Sequence, residues 1–122
     1  KRSKIADKYN EHFSQIESFI IPSVKKNVKH AYHLYPIQIN FEKLVINKSL
    51  LFDKMKSSGI NLQVHYIPVH LQPYYRNKYG YEPGDFLVAE KFYEKEVSLP
   101  IYPTLDNADV SRIITDLTKY TR

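Results

Sequence analysis

The chain contains the stretch Gly59-Ile60-Asn61-Leu62-Gln63-Val64-His65-Tyr66-Ile67-Pro68-Val69-His70-Leu71-Gln72-Pro73-Tyr74-Tyr75. Its first half alternates. Ile60, Leu62, Val64 and Tyr66 fall on one side of an extended chain, and Asn61, Gln63, His65 and Ile67 on the other. The alternation predicts a strand over 60–66. Gly59 takes a positive φ at little cost and suits the end of a preceding helix. Pro68 has no N–H to give a ladder, so the strand should stop there. From His65 to Tyr75 there are two histidines, two prolines, a glutamine and three tyrosines. This is a stiff, aromatic turn rich in hydrogen-bonding groups, set at a strand end.

Outward from that stretch, the pattern predicts further elements. Asn47 caps a helix to about Ser58, with Leu50, Leu51 and Met55 on its apolar side and Gly59 as its stop. Upstream, Ile5, Tyr9, Phe13 and Ile16 form one stripe of a helix over Ser3–Ile16. Pro22 and the run Ser23–His30 read as a loop. Ala31–Ile39 reads as a strand, with Pro36 placing it at a sheet edge or breaking it locally. Downstream, Gln72–Tyr79 forms a short helical turn, and the glycines and proline of Tyr79–Gly84 mark a loop. Asp85 caps a helix to about Lys95 with Phe86, Ala89 and Tyr93 inward. Val97-Ser98-Leu99 is a brief strand before Pro100. Asp106 caps a last helix, with Asp109 at the capping-box position. Val110, Ile113, Ile114, Leu117 and Tyr120 are its stripe.

Composition narrows the function classes. At 122 residues the chain is expected to be one domain, 1–122, and 43% hydrophobic residues suffice for a core. No apolar run reaches the roughly 18 residues of a membrane span. Lys1-Arg2-Ser3-Lys4 is followed by no apolar segment, so it is not read as a signal peptide. The absence of an initiator Met suits a chain cut from a larger protein. There are no cysteines, which excludes disulfides, thiolate metal sites and a Cys nucleophile, and fits a cytoplasmic location. The net charge of +5 is spread among acids, apart from Lys1–Lys4 and Lys25–His30.

Three blocks in order carry a resemblance. His65-Tyr66-x-Pro68-x-His70-x-Gln72-Pro73-Tyr74, Gly84-Asp85-Phe86-Leu87-Val88-Ala89-Glu90 and Ser98-Leu99-Pro100-Ile101-Tyr102-Pro103 resemble segments of the PLP-dependent sugar aminotransferases, the DegT/StrS family. Leu87 stands where that family usually has proline. Together the blocks run along nearly the whole chain. The members it resembles most aminate 4-keto sugar nucleotides, the transaminase of the pseudaminic acid pathway among them.

The resemblance implies an α+β fold, the small C-terminal domain of fold-type I PLP enzymes. It would be a small three-stranded antiparallel or mixed sheet with helices on one face. The helix–strand alternation alone would equally allow parallel strands. The resemblance further implies amino transfer from glutamate to a sugar nucleotide in polysaccharide biosynthesis. The full-length enzyme would be a homodimer. PLP would be bound by a large domain of the same enzyme. No lysine here sits in a PLP-lysine context, so this chain alone should hold no cofactor and should not transaminate.

The residues expected on the substrate side of the cleft are His65, Tyr66, His70 and Tyr74. Imidazole and phenol groups on a rigid turn can bond sugar hydroxyls, an N-acetyl carbonyl or diphosphate oxygens. The plainer role for both histidines is to bond backbone and hold the turn. His65 and His70 lack a third ligand, so no metal is expected. With three glycines there is no phosphate loop. The competing class is a stand-alone binding module. Tyr74, Tyr75, Tyr79 and Tyr81 with Arg76 and Lys78 could stack nucleic-acid bases, although tyrosines covering a sheet end or a missing large domain is the favoured reading. A domain made to lie against a larger one should expose an apolar patch.

Overall fold

The structure is a computed structural model and describes residues 1–122. The elements run α1 (Arg2–Phe13), β1 (Phe19–Ile20), β2 (Tyr35–Ile39), α2 (Lys48–Ser57), α3 (Pro73–Tyr79), α4 (Leu87–Lys95), β3 (Glu96–Leu99) and α5 (Asn107–Tyr120). The three strands form one antiparallel sheet in the order β1-β2-β3. The fold is therefore α+β, and every strand pair is antiparallel.

One face of β2 presents Tyr35, Ile37 and Ile39, all fully buried. Tyr9 and Phe13 of α1 pack over it, with the Tyr9 ring 5.0 Å from Tyr35 and the Phe13 ring 5.5 Å from Phe19. Leu51 and Met55 of α2 and Val110, Ile113 and Leu117 of α5 complete the core. Two tyrosine hydroxyls tie it down. Tyr9 Oη donates to the Pro100 carbonyl at 2.9 Å, and Tyr35 Oη to Asn10 Oδ1 at 2.7 Å. Helix starts follow local chemistry. Asn47 Oδ1 accepts from Leu50 N at 2.9 Å, and Asp106 Oδ1 from Asp109 N at 2.7 Å. The capping box is not closed, because Asp109 instead accepts from Arg112 at 3.1 Å. Asp106→Ala should therefore cost about 1 kcal/mol, the usual worth of a lost N-cap, read from the midpoint of a urea melt.

Several sequence expectations are corrected. Pro36 lies in the central strand, not at an edge. The backbone of its β3 partner Ser98 explains why this is tolerated. Ser98 N–H and C=O both bond Gln63, on the far side of β3, at 2.8 and 3.1 Å. Pro36 and Ser98 thus form a pair that exchanges no ladder bonds, and the missing N–H costs the β2–β3 ladder nothing. On its other side, the β1–β2 register of Phe19↔Ile39 and Ile20↔Gln38 would continue to Ile21 opposite Ile37 and then to Pro22 opposite Pro36, the next pair that would exchange ladder bonds. Neither can donate, which is why β1 ends after two residues.

The strand expected over Ile60–Tyr66 is reduced to one bridge, Gln63↔Ser98. Ile60 and Leu62 are buried as the alternation required, but Tyr66 is 71% exposed. Continuing that register would set His65 against Glu96, yet the His65 N–H bonds the Glu96 side chain instead, at 3.0 Å. The carboxylate takes the amide that the ladder needed. Asp85 does not cap α4. Its carboxylate accepts from Glu82 N, and the helix begins at Leu87 with none of its residues fully buried. Phe86 and Ala89 are exposed and Tyr93 is half-buried, as Leu50 is exposed on α2. No helix is long and apolar enough to cross a membrane.

Candidate functional site

His65 sits where the chain leaves the β3 edge. Its imidazole is half-buried, edge-on to Tyr66 with centroids 4.7 Å apart. Nδ1 is buried and meets no hydrogen-bond partner within the chain. The residue lines a cavity of about 380 Å³ together with His33, Asn61, Gln63, Tyr102 and Arg112, whose guanidinium is paired to Asp109 in the same wall, and with apolar residues such as Ile60 and Ile101. Imidazoles, carboxamides and a phenol suit a ligand rich in hydroxyl or carbonyl groups.

Tyr66, the next residue, faces elsewhere. It borders an apolar groove with Pro68, Phe86, Leu87, Val88 and Phe92. One turn of chain thus separates a polar cavity from an apolar surface. Leu87 and Val88 are 58% and 87% exposed, so α4 carries an uncovered apolar face of the kind that marks an interaction surface.

His70 is buried. Its Nε2 lies 2.8 Å from Glu90 Oε1, and its ring packs against Phe86 at 4.7 Å. Glu90 also accepts from the Gly84 N–H at 2.9 Å and the Phe86 N–H at 3.3 Å. This one carboxylate fixes the entry to α4 and ties it to the Pro68–Leu71 turn. The Gly84 amide, then the His70 side chain, hold the Glu90 carboxyl below the usual carboxylate range. A depressed folded-state pKa stabilises the fold above the unfolded carboxyl value, and that contribution is lost as pH falls through the folded value. Wild type should lose stability below about pH 4. Glu90→Gln should be less stable at pH 7 and flatter toward acid. Urea melts at neutral and acid pH check this, and parallel profiles for the two proteins would refute it.

Tyr74 is exposed on α3, edge-on to Tyr75, and its hydroxyl accepts from Lys78 Nζ at 3.0 Å. The structure therefore places His65 and Tyr66 side by side, His70 beneath the turn and Tyr74 apart from both. Sequence reading missed Glu90 and Glu96, whose partners lie 20 and 31 positions away. A charged residue directly before the apolar run Val97–Leu99 was the available signal for Glu96.

The residues present do not fit PLP. No lysine lines the polar cavity or either groove beside the turn. Half-buried Lys48 donates to the Tyr93 carbonyl at 2.5 Å and lies 4.8 Å over the Tyr93 ring. Burial lowers its pKa, and the charges of Glu96 and Glu94 oppose that shift. No three His, Asp or Glu side chains converge as metal ligands would.

Comparison with known proteins places this geometry. Residues 1–118 match the DegT/DnrJ/EryC1/StrS aminotransferase family. Uncharacterized protein MJ1066 of Methanocaldococcus jannaschii is 46% identical over 119 residues, which cover 98% of this chain and 31% of that protein. The UDP-4-amino-4,6-dideoxy-N-acetyl-beta-L-altrosamine transaminase of Campylobacter jejuni is 31% identical over 109 residues, covering 89% of this chain and 28% of that protein. Among solved structures, Helicobacter pylori PseC, an aminotransferase involved in the biosynthesis of pseudoaminic acid, is similar with a TM-score of 0.87 at 28% identity. That match covers 98% of this chain and 32% of PseC. The chain thus spans about three-tenths of the length of the relatives it matches. By sequence match along almost its whole length and by fold, the chain belongs to the DegT/DnrJ/EryC1/StrS aminotransferase family.

Proposed function

We propose that this chain is the C-terminal domain of a longer PLP-dependent aminotransferase. The parent enzyme moves an amino group from glutamate to a 4-keto sugar nucleotide in the cytoplasm, as a homodimer. This domain forms the substrate side of the cleft. PLP and its lysine belong to the preceding large domain, against which the apolar face of α4 packs. His65 contacts the sugar nucleotide and Tyr66 closes the groove beside it. Tyr74 stands apart on α3, and His70 holds the turn from beneath through Glu90.

The observation that carries this reading is the half-buried His65 side chain on the wall of a cavity shared with His33, Asn61, Gln63 and Arg112, in a chain whose residues 1–118 match the family. The test is an assay of the full-length gene product with PLP, glutamate and UDP-linked 4-keto sugars, with amino-sugar formation read by mass spectrometry. Turnover by the full-length protein and none by residues 1–122 supports the reading. Turnover by the 122-residue chain alone, or none by the full-length protein, overturns it.

A further inference from the structure

The chain buries a carboxylate that the site described so far does not use. Glu96 opens β3 and is completely shielded from solvent. The chain's four ion pairs all lie elsewhere. Lys48 acts on it only through space, its ammonium being bonded to the Tyr93 carbonyl. Burying a carboxyl group without an ion-pair partner is costly unless its oxygens are hydrogen-bonded. Ion pairing does not account for this glutamate.

Its contacts do. Ser98 Oγ donates to Glu96 Oε1 at 2.5 Å, which aims the carboxylate. The other oxygen, Oε2, accepts the His65 N–H at 3.0 Å. Two residues earlier, Gln63 still pairs with the Ser98 backbone. At His65 the chain must leave the sheet so that one ring lines the polar cavity and the next residue faces the apolar groove. Glu96 holds the amide at that point of departure.

We propose that Glu96 is a positioning residue: by fixing the His65 amide, it sets the imidazole for the sugar substrate. The proposal rests on the substrate-side reading of His65. Glu96→Gln keeps an oxygen for the His65 N–H and an amide group for Ser98 Oγ, so it should preserve the clamp. Glu96→Leu fills the same space and cannot. Ser98→Ala removes the aiming bond with almost no change in volume, and serves if the leucine variant does not fold.

The test has two arms. In the 122-residue chain, hydrogen exchange at the His65 amide should speed up about tenfold or more in Glu96→Leu, the size expected for one hydrogen bond to a charged group. It should speed up less in Ser98→Ala, and Ile37 in β2 should keep its protection. In the full-length parent, KM for the sugar nucleotide should rise about tenfold while KM for the amino donor stays unchanged, and Glu96→Gln should restore the acceptor KM. Unchanged exchange at His65 in the folded variants, or donor and acceptor KM rising together, overturns the proposal. A parent that aminates no sugar overturns the functional reading instead, and the exchange arm alone then decides whether the clamp exists.

Discussion

Phe13→Ala is expected to destabilise the chain by about 3–5 kcal/mol. A domain of this size has only about 5–15 kcal/mol in total. Phe13 has no exposed surface, and its ring touches Tyr9 at 5.8 Å, His12 at 5.4 Å and Phe19 at 5.5 Å. It is the link between α1 and the short edge strand β1, which has two residues of pairing to hold it. Removing the ring leaves a cavity that the sheet on one side and the helix on the other are too rigid to close. The melting temperature should fall by roughly 10–25 °C. Val45→Ala is the control. Val45 is 96% exposed, and its truncation should stay within about 0.5 kcal/mol of wild type. Similar losses for the two variants in thermal melts would show that the core lies elsewhere.

His65→Phe should separate stability from activity. Phenylalanine keeps a flat ring edge-on to Tyr66 and removes both nitrogens. The buried Nδ1 has no partner within the chain, so its loss removes a desolvation cost, and the fold should be unchanged or slightly more stable. In the full-length parent, kcat/KM for the sugar nucleotide should fall by about 10- to 100-fold, the worth of a hydrogen bond made to the ligand. A gain in stability bought with lost activity is the signature of a residue kept for its ligand. Loss of stability with unchanged kinetics would assign His65 to the fold instead.

What the sequence made legible follows from the range of the interactions involved. Asn47, Asp106 and the α5 stripe were readable because a cap or a helical face is decided within a few residues. Ile60 and Leu62 were correctly placed inside, because alternation reports burial. It does not report pairing, and the Glu96 carboxylate, 31 positions on, takes the bond at which the strand would have continued. β1 was invisible because two residues carry no period. Its limits depend on Pro22 meeting Pro36 in a register that only the folded sheet defines. The site was legible as a stiff His-Tyr turn. The different tasks of its residues were not, since His70 is held by Glu90 and His65 by Glu96. Leu87 stands at the start of α4 in place of a helix-opening proline. The Glu90 side chain, bonded to two amides ahead of the helix, supplies what proline would have supplied.

The facing prolines have a consequence for solubility. A small sheet that ends in a two-residue strand leaves part of its middle strand open on that side, where another chain could dock and seed a fibril. Pro36 offers such an intruder a carbonyl but no amide, and Pro22 denies it the neighbouring position. The same pair of rings that shortens the sheet therefore guards its flank against aggregation.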